Sequence, residues 1–303
     1  VVGVARSGER ERLQQSGADR VVGSFEELTE DADARNGPRC RPPSALDSLK
    51  SLQRRLEGKR LALFLDYDGT LTPIVARPED AAMHDAMRRT VRRLAELTPV
   101  AVVSGRDRAD VESLVGLPEL IYAGSHGFDI RGPDLHREHE GGRAALPELD
   151  EAENVLGREL AAVEGAQVER KRFAVAVHYR NVPEEKVEEV RRAVERFAEG
   201  HRKLLLRGGK KIFELQPDID WHKGKAVLWL LEVLGLDSPD VVPMYLGDDV
   251  TDEDAFAVLE DRGIGVVVGD DTLPSHADYW LADTDQVRRF LAAWIQTLER
   301  RQA

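Results

Sequence analysis

From Arg60 to the C-terminus the chain alternates short, continuous apolar runs with longer stretches of helical period. That alternation limits its architecture more than any other feature. Leu61 to Leu65, Val100 to Val103, Leu120 to Ala123, Val242 to Leu246 and Gly263 to Val268 carry no polar face. A strand wetted on one side alternates polar and apolar residues, so a strand apolar throughout must be covered on both sides. Between these runs the spacing predicts helices over Asp85 to Leu97, through Val111 to Val115, and over Gly224 to Leu234 and Asp285 to Arg300. A further helix carries Leu46, Leu49, Leu52 and Leu56 at three- and four-residue steps, with Ser44 as its N-cap and Gly58 as its stop. The expectation is an α/β fold with helices on both faces of a parallel sheet, and a site beyond the carboxyl ends of its strands.

Residues 131–215 break this rhythm. After a Gly- and charge-rich loop to Gly142, the pattern predicts a helix over Asp150 to Val163 and paired strands over Ala166 to Lys171 and Phe173 to Tyr179. A charged helix, Pro183 to Glu199, then precedes strands at Lys203 to Leu206 and Lys211 to Leu215. Four strands with two helices form an α+β module inserted between residues 44–130 and 216–303 of the sheet domain. Residues 1–43 read as the closing unit of another α/β domain plus a linker. Strands are expected at Val1 to Ala5 and Arg20 to Gly23, with helices through Leu13 and from Phe25, and the linker holds Gly37, Pro38, Pro42 and Pro43. With V-V-G-V-A-R-S-G followed by G-A-D-R-V-V, that remnant resembles the C-terminal end of a phosphoglucomutase-like phosphatase domain. Because the chain starts at Val1, it is expected to be a piece of a longer one.

Composition removes several classes of function. With 43 basic and 56 acidic side chains the net charge is −13, which argues against nucleic-acid binding, since that affinity comes mostly from neutralising phosphates. A small phosphorylated substrate needs only a local site and stays open. Cys40 is the one cysteine, so there is no disulfide framework and no cysteine-ligated zinc. The longest apolar stretch, Ala226 to Leu236, is interrupted by Glu232 and too short to span a bilayer. A soluble, cytoplasmic location without membrane partners is expected.

The chemistry concentrates in L-A-L-F-L-D-Y-D-G-T-L-T-P, Leu61 to Pro73. A buried strand ends in Asp66, skips one residue to Asp68, and turns at Gly69-Thr70. Two carboxylates crowded at a strand end repel each other unless a cation lies between them. Oxygen ligands alone favour a hard ion such as Mg2+. Three further segments follow: V-V-S-G-R with Ser104, Gly105 and Arg106; W-H-K-G-K-A with Lys223 or Lys225 just before a helix; and L-G-D-D-V-T-D-E-D-A-F with Asp248, Asp249 and Asp252. Each closes a predicted strand or opens a helix. Ser104 at a strand end with a helix N-terminus behind it suits a phosphate oxygen. Asp249 reads equally as a metal ligand or as a cap for the helix beginning near Thr251.

These segments, in this order, resemble the four motifs of the haloacid-dehalogenase-like (HAD) phosphohydrolases. The resemblance implies a Rossmann-like parallel-sheet core with an inserted α+β cap. More closely, D-Y-D-G-T-L-T-P, G-S-H-G, H-Y-R, G-K-K-x-x-E-L-Q-P, W-H-K-G-K-A and G-D-D-x-T-D-E-D-A-F are similar to the run of motifs in the trehalose-6-phosphate phosphatases. By that resemblance Asp66 is the nucleophile, Asp68 the acid and base, and Lys223 rather than Lys225 the catalytic lysine. Thr70, Ser104, Gly105 and Arg106 hold phosphate. Mg2+ lies on Asp66, the backbone carbonyl of Asp68, and Asp248, with Asp252 in support. A trehalose-phosphate synthase is the implied partner, and a non-catalytic regulatory role beside such a synthase is an alternative. So is another sugar-phosphate phosphatase of the sucrose-phosphate or mannosyl-phosphoglycerate type.

Strand periodicity in the inserted module adds a substrate surface. Glu169 and Lys171 share one face; His178 and Arg180 share a face opposite Phe173, Val175 and Val177; Lys210 and Glu214 share a face opposite Lys211, Phe213 and Leu215. The resemblance makes Glu169, Arg180, Lys210 and Glu214 sugar contacts, together with His126 and Gly127 of G-S-H-G.

Overall fold

The computed structural model describes residues 2–4, 20–22, 42–75, 77, 80–209, 211–269 and 275–302. Residues 1–42 group as one unit, in which β1 (Val2–Val4) and β2 (Arg20–Val22) pair in parallel, Val2 opposite Arg20. The helices expected between and after these strands, and Cys40, lie outside the described residues.

The second unit is built on an eight-stranded sheet. Its elements in chain order are α1 (Leu49–Arg55), β3 (Arg60–Leu65), α2 (Asp85–Ala95), β4 (Val100–Val103), α3 (Arg108–Val115), β5 (Ile121–Gly124), β6 (Asp129–Gly132) and β7 (Leu135–Glu138). After the module described below come α6 (Lys223–Val233), β12 (Val241–Gly247), α7 (Glu253–Leu259), β13 (Ile264–Val268), β14 (Tyr279–Leu281) and α8 (Thr284–Gln302). The order β14-β13-β12-β3-β4-β5-β6-β7 is parallel as far as β5 and antiparallel over the last two strands. Coverage on both faces is seen residue by residue. Leu61, Leu63 and Leu65 of β3 and Val242, Met244 and Leu246 of β12 pack against Met87, Val91, Phe290 and Trp294. Ala62 and Phe64 of β3 and Val241 and Tyr245 of β12 pack against Val227, Leu230, Leu231, Phe256 and Leu259.

The inserted residues carry α4 (Glu140–Glu159), β8 (Gln167–Lys171), β9 (Ala174–His178), α5 (Glu184–Gly200), β10 (Leu204–Gly209) and β11 (Ile212–Pro217). Their antiparallel sheet has the order β10-β11-β9-β8, and Leu149, Leu156, Val175, Val177, Val194, Phe197 and Leu215 form a core of their own.

Three expectations change. Residues 131–138, read as loop, form the β6–β7 hairpin and extend the main sheet to Glu138. The helix expected from Asp150 begins at Glu140, because the His139 side chain accepts from the Gly142 N–H and caps it, and Pro147 falls inside it. Phe173 leaves the apolar face of its strand; it sits in the β8–β9 turn and stacks on Phe128 of the main domain at 5.5 Å. Among the described residues no helix is long and apolar enough to cross a membrane.

Candidate active site

The ends of β3, β4 and β12 and the start of α6 meet at one edge of the main sheet. β3 delivers Asp66, 4% exposed, and α6 opens on Lys223, 3% exposed. The Lys223 ammonium donates to Asp66 Oδ1 at 2.8 Å and to Asp252 Oδ1 at 2.7 Å. Asp252 is wholly buried and fully engaged. Its Oδ1 also accepts from the Tyr245 hydroxyl at 2.6 Å, and its Oδ2 accepts the N–H groups of Asp248 and Asp249 at 3.0 Å each.

Ligand atoms of Asp66, Asp248 and Asp252 lie within 4.8 Å of one another. Three carboxylates beside one ammonium leave an uncompensated negative charge in a buried place, and that favours the protonated carboxyl. Burial pushes the Asp66 carboxyl well above its ordinary value; Lys223 opposes this, while Asp252 and Asp248 reinforce it. Burial, then Asp252 and Asp249, push Asp248 up to about 7. Burial would strip the proton from Lys223, but Asp252 and Asp66 outweigh it and hold the ammonium charged. An oxygen-only donor set with surplus negative charge fits a hard divalent cation. Gly69, at φ +76°, lets the loop after β3 approach this cluster, since a Cβ there would collide with the Asp248 carboxylate.

Asp68 is drawn elsewhere. Both of its oxygens accept from Arg106, at 2.6 Å from Nε and 2.6 Å from Nη2, so its carboxylate stands outside the acidic cluster. Arg106, expected on phosphate, is thus occupied by Asp68. The phosphate-loop expectation does find Ser104, 1% exposed, whose Oγ accepts the Arg106 N–H. Thr70 is completely buried and its hydroxyl oxygen has no hydrogen-bond partner, which is the kind of vacant valence a phosphoryl oxygen would satisfy.

The G-S-H-G loop follows β5 in a strained form. Ser125 at φ 48° and His126 at φ 57° are both left-handed without being glycine. Backbone bonds pin them to the phosphate loop, Ser125 N–H to the Arg106 carbonyl and His126 N–H to the Ser104 carbonyl. The His126 ring lies against Gly105, and burial, then Lys223, lower its pKa to about 4. Gly127 is buried where a side chain would strike Ala226 of α6, so this close packing requires glycine there. Asp249 acts as a cap: it accepts from the Val250 N–H at 2.7 Å and forms a capping box with Asp252.

Across a small cavity stands the polar face of the second sheet. Glu169 and Glu214 flank Ala176 on adjacent strands and so share that face. Lys171 donates to Glu214 at 2.8 Å, Gln216 donates to Glu214 at 2.7 Å, and His178 pairs with Glu169 at 2.7 Å. His126, Gly105, Phe128, Lys171, Glu214 and Gln216 line the cavity together. Arg180 is not on this face: β9 ends at His178 and Arg180 is exposed in the next turn. Lys210 lies outside the described residues. The sequence left two contributors without a role. Lys171 was legible only as a neighbour of Glu169, and Tyr245 as an apolar strand residue.

A lysine bridging two aspartates at the carboxyl edge of a parallel sheet, with a second sheet facing it, is the arrangement of the HAD-like phosphohydrolases, and the fold matches solved members of that class. The family model for trehalose-phosphatase matches residues 64–285, and the chain belongs to that family. Trehalose-phosphate phosphatase of Mycobacterium tuberculosis is 44% identical over 272 residues, covering 88% of this chain and 68% of that protein. A solved trehalose-6-phosphate phosphatase related protein superposes with TM-score 0.69 at 25% identity, over 80% of this chain and all of that one. Trehalose-6-phosphate phosphatase of Aspergillus fumigatus gives TM-score 0.62 at 28% identity, over 85% and 100%.

Proposed function

We propose that this chain hydrolyses trehalose 6-phosphate to trehalose and inorganic phosphate, a step of trehalose biosynthesis, with Mg2+ as its metal. The observation that carries the reading is family membership across residues 64–285 with the acidic and basic side chains of the site in place. In the reaction Asp66 attacks phosphorus in line, its carboxylate oxygen forming the new P–O bond as the sugar P–O bond breaks. Asp68 gives the departing sugar oxygen its proton, then takes one from the water that cleaves the aspartyl-phosphate and restores Asp66. One Asp68 oxygen must leave the Arg106 fork for this, and an arriving phosphate offers that guanidinium another anion. Lys223, Ser104 and Thr70 stabilise the phosphoryl oxygens.

Asp66 and Asp248 would hold the metal with the Asp68 carbonyl; Asp252, its oxygens already in use, orients Lys223 and the loop amides. When bound, the cation neutralises charge on the phosphoryl group. Residues from about Glu140 to Pro217 act as the cap, with Glu169 and Glu214 accepting hydrogen bonds from glucose hydroxyls. The test is phosphate release from a panel of trehalose, sucrose and glucose phosphates and mannosyl-phosphoglycerate, with Mg2+ and with chelator. Preference for trehalose 6-phosphate, lost on chelation, is expected. A stronger preference for another sugar phosphate would overturn the substrate, and full activity in chelator would overturn the metal.

A further inference from the structure

Asp107 follows Arg106 and occupies the position before α3 where an aspartate ordinarily caps its helix. It makes no capping bond. Both of its carboxylate oxygens instead accept the backbone N–H of Arg172, at 3.0 and 2.8 Å, and Oδ1 also accepts the Ser125 hydroxyl at 2.8 Å. Arg172 is the first residue of the β8–β9 turn, directly after Lys171. The same turn is held from two other sides: Phe173 stacks on Phe128, and the Arg172 guanidinium donates to Glu138 at 2.8 Å. One carboxylate therefore joins three pieces: the loop of Ser104, Gly105 and Arg106, the strained Ser125–His126 loop, and the strand end that carries Glu169 and Lys171. A helix cap given up for a bond across the two sheets forfeits local stability, so the bond across must serve the arrangement of the whole site.

We infer that Asp107 is a positioning residue for sugar recognition, fastening the β8–β9 turn to the phosphate loop so that Lys171, Glu169 and Glu214 stand over a substrate whose phosphate is held below. In this role it acts through the Arg172 N–H and the Ser125 hydroxyl rather than on the substrate itself. Its removal should affect only substrates long enough to reach the second sheet. This kinetic consequence rests on the sugar-phosphate reading above.

The experiment compares Asp107→Ala and Asp107→Asn with the unmodified chain in three measurements. These are kcat/KM for trehalose 6-phosphate, kcat/KM for p-nitrophenyl phosphate, and amide hydrogen exchange over residues 169–176. For Asp107→Ala we expect about a 10- to 100-fold loss on the sugar phosphate, the value of one charged hydrogen bond. The loss should be carried by KM, with little change on the small ester and faster exchange in the turn. Asp107→Asn keeps one acceptor oxygen for the Arg172 N–H and should recover part of the loss. Arg172→Ala keeps that N–H but loses the guanidinium bond to Glu138, so it should cost less than Asp107→Ala. Equal losses on both substrates would overturn the inference by making Asp107 a support of the phosphate loop, as would unchanged exchange over 169–176. The exchange measurement needs no substrate. If the unmodified chain ignored trehalose 6-phosphate while exchange still rose in Asp107→Ala, the functional reading would fall and the fastening would stand.

Discussion

Lys223→Met tests the electrostatic construction of the site at its centre. Methionine keeps the length and the apolar stem of lysine, so packing around the start of α6 changes little. What disappears is an ammonium 2.8 Å from Asp66 and 2.7 Å from Asp252, three groups that are all at most 6% exposed at the side chain. Removing one partner of a buried ion pair costs about 3–5 kcal/mol, because the remaining charge is stranded without water. At about 2–4 °C per kcal/mol for a domain of this size, the melting temperature should fall by roughly 6–20 °C. The loss should depend on pH in a defined direction. In the variant, Asp66 and Asp252 can escape the penalty only by taking up protons, so the deficit should be larger at pH 7.5 than at pH 5. Adding Asp252→Asn to Lys223→Met removes one stranded charge and should return part of the stability. The assay is thermal unfolding in chelator at both pH values for the single and double variants. A fall under about 3 °C, or one equal at both pH values, would refute the claim that burial makes this lysine indispensable to the charge balance.

Three other outcomes are expected. Asp66→Asn should abolish phosphate release from every substrate while the chain stays folded, since an amide cannot form the acyl phosphate; turnover near that of the unmodified chain would remove Asp66 as nucleophile. Asp248 titrates near 7 in the fold and near 3.8 in the unfolded chain, so between these values the folded state binds the extra proton and stability falls as pH rises. The melting temperature of Asp248→Asn minus that of the unmodified chain, in chelator, should therefore grow from pH 5 to 7.5, and a flat difference would contradict the shift. Glu169→Ala and Glu214→Ala should each lower efficiency on trehalose 6-phosphate about tenfold or more while sparing p-nitrophenyl phosphate; equal losses on both would make these residues supports of the second sheet.

Much of this molecule is written along the chain because the governing forces there are local or periodic. Uninterrupted apolar runs such as Leu61 to Leu65 specify a strand covered on both faces, and alternation with helices then requires a parallel sheet. Asp66, Ser104 and Asp248 are each followed by a turn at such a strand's end, so their convergence at one edge follows from topology. The β6–β7 hairpin and the early start of α4 were not legible. Charged residues on an edge strand give no burial signal, and the cap of α4 is an imidazole rather than a hydroxyl.

Tertiary structure alone decided how the charges pair. Asp68 could have faced the acidic cluster, yet Arg106, one turn past a different strand, takes both of its oxygens. Asp107 reads locally as a helix cap and is turned to Arg172, 65 positions along the chain. Strand and helix periods are set by neighbours two to four residues away, whereas an ion pair or a diverted hydrogen bond depends on which distant group arrives within 3 Å. Sequence spacing carries no record of that distance until the sheets have packed.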